Sequence, residues 1–238
     1  MLNYDELTID EAIVMQQNFR KQLKFKTLGD LPIHTIAGAD ISFNPNSNKL
    51  YAAIVNLSFP EMTVKSYALA TAETKFPYIS GFLGFREVPA LMEAWKLLNQ
   101  KPDLVVLDGQ GFLHPRRMGI ASHFGVLTQH PTIGCAKSSL YGYYEEPSPV
   151  KYAHSKVFEK DSHQHIGYAL RTKDKTTPVY ISPGYGLTLD RSLDIMKKCI
   201  GKYRIPEPTR MAHEIVNQFR LGKLKPGFHS VAPTFQLF

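Results

Sequence analysis

Cysteine is scarce in this chain of 238 residues: there are two, Cys135 in an apolar run and Cys199 in a helical pattern. Such usage excludes a disulfide framework and a thiolate zinc cluster, and it suits a reducing, cytoplasmic setting. Long apolar runs are missing as well. None approaches the roughly 18 residues that a membrane-spanning helix requires, so no membrane association is expected. The opening MLNYDELTIDEA is acidic and polar, unlike a secretory leader. Internal repeats and low-complexity tracts are absent.

What is present is a core and an uneven charge. Hydrophobic residues make up 43% of the chain, enough for one large domain or two small ones. Residues 1–150 hold 13 Lys and Arg against 14 Asp and Glu, whereas residues 151–238 hold 15 against 7. The second part is therefore strongly basic. A basic surface beside a carboxylate site suits a polyanion held by its phosphates.

Thr8 and Glu11 form a capping-box pattern that opens a helix running to about Phe25. Three strands are expected next, at Thr35–Phe43, Leu50–Phe59 and Thr63–Thr71. Their short links make them antiparallel neighbours. Glu87 to about Leu98 carries an apolar stripe at Val88, Leu91, Met92, Trp95 and Leu98, and Glu87 stands at that helix's start. A buried strand ends at Asp108, a helix follows from Gly119 to about His130, and Thr132–Ala136 is another short strand. A polar, Tyr-rich stretch holds a hairpin, Ala153–Phe158 with Ile166–Arg171, and Val179–Ser182 is a further strand. Two helices are expected near the end, from Thr188 to about Tyr203 and from a Thr209 cap to about Arg220. The class is α/β, with a mixed five-stranded central sheet and helices on both faces. Residues 1–222 read as one domain, and residues 223–238 as a flexible tail.

The chemistry centres on LVVLDGQGFLHPRRMG, Leu104 to Gly119. Asp108 ends its apolar run, where ligands bind in open α/β sheets. Two glycines follow, then His114, Arg116 and Arg117, a pattern that suits a metal ion under a phosphate. Asp40 lies inside the first strand between Ala39 and Ile41, and a charge there is costly unless paired or bound to a metal. If the strands of Asp40 and Asp108 are neighbours, the two carboxylates can share that metal. With Glu87 and His213 they form an oxygen-rich set suited to Mg²⁺, with Mn²⁺ as a substitute. His163 and His165 read as part of an exposed hairpin rather than as ligands.

Four stretches, FPYISGFLGFRE (Phe76 to Glu87), LDGQGFLHPRRMGIASHFG (Leu107 to Gly125), IGCAKSSL (Ile133 to Leu140) and PEPTRMAH (Pro206 to His213), closely resemble endonuclease V, the deoxyinosine 3′-endonuclease family. The resemblance runs from about Ile36 to Arg220. It implies a ribonuclease H-like fold and residues 1–222 as an endonuclease V-like domain. It further implies that Asp40 and Asp108 bind metal, that Glu87 is catalytic, that His213 closes the site, and that Lys137 stands near the scissile phosphate. Pro77, Tyr78 and Ile79 match a wedge that enters the duplex beside the lesion. The usual wedge ends in Pro where this chain has Ser80, which loosens the tip. Gly81, Leu83, Gly111, Gly134 and Leu140 match positions around the flipped base. His114 and Arg116 support that pocket, and Ser138 donates hydrogen bonds beside Lys137.

The activity so implied is recognition of deoxyinosine in DNA. Water activated by a divalent metal then hydrolyses the second phosphodiester bond on the 3′ side and leaves a 3′-hydroxyl and a 5′-phosphate. The partner is inosine-containing DNA, and the protein acts as a monomer. Two alternatives stay open: an endoribonuclease specific for inosine in RNA, and a non-catalytic nucleic-acid-binding module of the same fold.

Overall fold

In the computed structural model, residues 3–26, 32–45 and 47–231 are described. The chain runs α1 (Ile9–Arg20), β1 (Thr35–Phe43), β2 (Lys49–Ser58), β3 (Val64–Glu73), α2 (Leu83–Leu97), β4 (Leu104–Leu107), α3 (Ile120–Thr128) and β5 (Thr132–Ala136). It continues through β6 (His154–Phe158), β7 (His165–Leu170), β8 (Val179–Tyr185), α4 (Leu189–Lys198), α5 (Glu207–Arg220) and β9 (Gly227–Ser230).

All the strands join one sheet, in the order β6-β7-β8-β5-β4-β1-β2-β3-β9. The expected five form its centre. Strands β1, β2 and β3 are antiparallel, while β4 runs parallel to β1 and β5 parallel to β4. The strand count is the first correction. The hairpin β6–β7 and strand β8 extend the sheet past β5, and β9 pairs with β3 at the other edge. The segment expected as a loose tail from residue 223 therefore contains an edge strand, whose Phe228 packs against the core.

Side chains alternate across a strand, so the sheet splits its apolar residues between two cores. Ala52, Ile54, Ala68 and Ala70 face α2 and α3, meeting Val88, Leu91 and Phe124. Ala53, Val55, Leu57 and Leu69 face α4 and α5, meeting Met196, Ala212, Val216 and Phe219. Each fully buried Leu, Ile or Phe in such a core contributes about 1.5–3 kcal/mol. The small alanines on one face let α2 and α3 lie close to the sheet. Among the described residues, no helix is long and apolar enough to cross a membrane.

Three helix starts are informative. At α1 the capping box forms as expected, with Glu11 N–H donating to Thr8 Oγ1 and Thr8 N–H donating to Glu11 Oε2. Helix α2 begins at Leu83, one turn before Glu87, so no acid occupies its first turn and Glu87 does not serve the helix dipole. Helix α5 begins at Glu207 behind Pro206. Thr209, expected as its cap, is instead buried in the first turn, with its hydroxyl donating to Pro206 O.

Candidate active site at the ends of β1 and β4

The register of β1 against β4 aligns Ala39 with Leu107, which sets Asp40 and Asp108 side by side. The Asp108 N–H donates to Ala39 O at 3.1 Å and holds the loop there. Helix α5 lies across β1 and brings His213, whose Nδ1 is 2.8 Å from Asp40 Oδ2. Lys137 follows β5 directly, and its ammonium bonds Asp108 Oδ2. Ligand atoms of Asp40, Asp108 and His213 all lie within 4.8 Å of one another. Glu87 is outside that group and reaches the same cavity from α2.

The electrostatics fit a cation. Burial, followed by the charges of Asp40 and Asp108, pushes the Glu87 carboxyl up to about 8. Burial and Asp40 also raise Asp108, against the pull of Lys137. Burial opposes the Lys137 charge, but Asp108 outweighs it and the ammonium is held above its ordinary value. The hydrogen bond to Asp40 raises His213. Burial and neighbouring negative charge disfavour ionisation of Glu87 and Asp108, a cost that a divalent ion among oxygen donors removes. Asp40, Asp108 and His213 would hold such an ion, with Glu87 beside it.

These residues line one end of a cavity of about 450 Å³. The walls include Gly81, Leu83, His114, Ser138 and Leu140, with Tyr78 on the rim. Tyr78 is 64% exposed, its ring 6.1 Å from that of Phe43, in the loop between β3 and α2. It stands out from the surface instead of resting on the core.

That loop is tightly held at its base. The carbonyl of Gly81 accepts from Gln16 Nε2 at 3.0 Å, Arg116 Nη2 at 2.8 Å and His114 Nε2 at 3.1 Å. Gly81 has φ +82°, which glycine adopts freely. His114 Nδ1 accepts from Arg116 N–H, so the proton sits on Nε2. Burial, with the Arg116 charge, lowers this imidazole to about 4. His114 lines the cavity, and Arg116 stands outside its wall, both bonded to the Gly81 carbonyl.

Several expected contacts take another form. Arg117 does not face the carboxylates; it is buried and paired with Glu159. Gly111 and Gly134 do not line the cavity but let loops pack behind it. A Cβ on Gly111 would lie 2.4 Å from Pro183 O, and one on Gly134 would lie 2.3 Å from Gly111 N. Pro77 and Ile79 flank Tyr78 without lining the cavity, Pro77 exposed and Ile79 packed toward Phe76 and Phe82. His163 bonds Tyr143, outside the metal-ligating group.

Sequence reasoning missed Gln16, Arg86 and Gln110. Arg86 is buried and donates to Phe76 O at 2.6 Å, fixing the start of the Tyr78 loop. Gln110 lines the cavity and donates to Ser138 O at 2.9 Å, while its Oε1 has no partner among the described residues. Its place between Gly109 and Gly111 was the available signal; Gln16, a polar residue on a helix, offered none.

A mixed sheet with strand order β5-β4-β1-β2-β3, with Asp40 and Asp108 where its central parallel pairing ends and a group able to hold a metal ion, is the fold and site of a metal-dependent nuclease. Residues 17–214 match the family model of Endonuclease V, and the chain belongs to that family. Endonuclease V of Trichormus variabilis is 42% identical over 211 residues, covering 89% of this chain and 95% of its own. The Endonuclease V structure from Streptomyces avermitilis superposes with a TM-score of 0.84 at 34% identity, covering 92% of this chain and 96% of its own. Endonuclease V of Ciona intestinalis, in complex with DNA containing an inosine followed by a ribo-adenosine, has a TM-score of 0.79 at 27% identity, covering 91% of this chain and 99% of its own.

Proposed function

We propose that this enzyme recognises deoxyinosine in DNA and hydrolyses the second phosphodiester bond 3′ to it, leaving a 3′-hydroxyl and a 5′-phosphate. The observation that carries this reading is the convergence of Asp40, Asp108 and His213 within 4.8 Å at one end of a cavity whose rim bears Tyr78. The resemblance to a relative complexed with inosine-containing DNA supplies the lesion.

A base leaving a duplex must be unstacked, and Tyr78 is placed to fill the gap while the cavity receives the base. Gly81, Leu83, Gly111, Gly134 and Leu140 give that pocket small or apolar walls and backing. Asp40 and Asp108 would hold Mg²⁺, or Mn²⁺ in its place. When bound, the ion supplies Lewis acidity toward water and phosphate. Glu87 orients the attacking water, Lys137 offsets charge developing on the phosphate, and His213 guides or donates a proton. Among the described residues no serine or cysteine is placed as a covalent nucleophile, which supports a single in-line displacement. The reading includes action as a monomer in the cytoplasm, with every catalytic residue named above lying within residues 1–222.

A ribonucleotide preference is the second reading, favoured by the ribo-adenosine after the inosine in the Ciona complex. Matched inosine strands in DNA, RNA and hybrid form, incubated with Mg²⁺, decide between the two. Asp40→Ala and Asp108→Ala are expected to abolish nicking, leaving binding to inosine strands within a few-fold of wild type. Wild-type turnover in either variant would refute the site.

A further inference from the structure

The sheet places a second feature beside the site. Ala136 of β5 pairs with Tyr180 near the start of β8, Leu170 of β7 pairs with Val179, and His154 of β6 pairs with Leu170. The loops before β6 and between β7 and β8 therefore open from the same end of the sheet as Asp108 and Lys137. The linker from α4 to α5 joins them. Lys151 Nζ donates to Gly201 O at 3.3 Å, Lys151 N–H donates to Asp174 Oδ1 at 2.6 Å, and Thr172 Oγ1 donates to Arg204 O. Arg204 in turn donates to Lys137 O at 2.6 Å and ties this cluster to the catalytic lysine's backbone.

The cluster is basic, and its lysines lack acidic partners. Lys173, Lys175 and Lys202 are exposed, and no ion pair engages them or Lys151 among the described residues. The nearby acids are occupied: Asp174 accepts from the Lys151 backbone, Glu146 pairs with Arg171, and Glu207 pairs with Arg210. Two rings, Tyr152 and Tyr203, are 46% and 45% exposed, each with a lysine ammonium about 5 Å from its centre. Ammonium groups without acidic partners, beside exposed aromatic faces, match a phosphate backbone and its bases.

We infer that Lys151, Lys173, Lys175 and Lys202 form a strip that holds the nucleic-acid strand where it leaves the site, 3′ of the cut. This placement rests on the function proposed above. There the cavity at Gly81 receives the lesion, the cut lies at Asp108 and Lys137, and the strip adjoins Lys137 through Arg204.

The test compares wild type with the triple variant Lys173→Ser, Lys175→Asn, Lys202→Ser, and with a charge-preserving variant carrying Arg at all three positions. Binding is followed by fluorescence anisotropy in EDTA across a salt series. The probes are inosine and adenosine single strands with a long 3′ arm, and inosine strands ending just past the cut. The triple variant is expected to lose about ten-fold in affinity for long arms. Its salt slope should fall by about 2, at roughly 0.7 per phosphate contact on single strands, equally for inosine and adenosine. The short arm should show little loss, and the Arg variant should behave as wild type. An unchanged slope on long arms, or an equal loss on short ones, overturns the strip. Failure of wild type to prefer and nick inosine strands in Mg²⁺ overturns the function instead, and a slope difference that persists there still supports a phosphate-binding strip.

Discussion

A methyl group on Gly38 would lie 1.8 Å from the carbonyl oxygen of Pro208. The first turn of α5 rests on bare β1 backbone, and that seat sets how far His213 stands from Asp40. Backbone meets backbone there, so the strain cannot be relieved by a rotamer change. Gly38→Ala is expected to destabilise the protein by about 3 kcal/mol, at the upper end for overpacking, and to lower turnover even where the protein stays folded. Urea denaturation beside nicking rates checks both. Nothing in GADISF announces this demand, because the partner lies far along the chain. Asp40 two residues on was legible, since a charge inside an apolar strand has few explanations. Arg117 misled for the opposite reason: its pairing with Glu159 is a contact that sequence spacing does not display.

At the scale of elements, the loop from Thr74 to Phe82 shows how an exposed aromatic can be held firmly. Arg86 fixes the Phe76 end, while Gln16, His114 and Arg116 fix the Gly81 carbonyl at the other. Rigidity at the base offsets the freedom that Ser80 brings to the tip. Tyr78→Ala is expected to weaken binding to inosine-containing duplex by about 1–3 kcal/mol, a stacking contribution, with a smaller loss on single strands, where less stacking must be broken. Titration of the two substrates measures the difference, and equal losses would remove the wedge role. The loop was legible as a motif, and its anchors were not. Helix α2 likewise read correctly along its stripe but started a turn early, because the aromatic residues ahead of Glu87 pack into a separate cluster with Tyr4 and Phe76.

For the molecule as a whole, acid should act through two buried histidines. Burial lowers His123 to about 3, where it packs between Phe85 and Phe19 with its Nε2 on the Tyr4 hydroxyl, and His114 lies at about 4. Both folded values are below the ordinary 6.5, so the unfolded chain binds more protons as pH falls. Their contribution is complete above pH 6.5 and is lost as pH drops toward 4 and then 3. Each histidine contributes at most about 1.4 kcal/mol per pH unit. Denaturation at several pH values should show this decline, and His123→Leu should flatten part of it.

Of the central five strands, β1 to β3 were legible from their short links, and β4 and β5 from short apolar runs on either side of a helix. The outer four were harder to place. A hairpin's sequence shows that it pairs with itself but not which edge it joins, and β9 is four residues long with a glycine at its head.

The bond between Asp40 and His213 spans 173 residues of chain. Synthesis delivers the two carboxylates early and the imidazole near the end, and domains fold from the N-terminal side as they emerge. On the function proposed here, a half-made chain carries acids without the histidine that completes them. The cutting centre then exists only once the last helix has settled onto the sheet. On that reading, a copy whose last helix has not docked on the sheet lacks one member of the cutting centre.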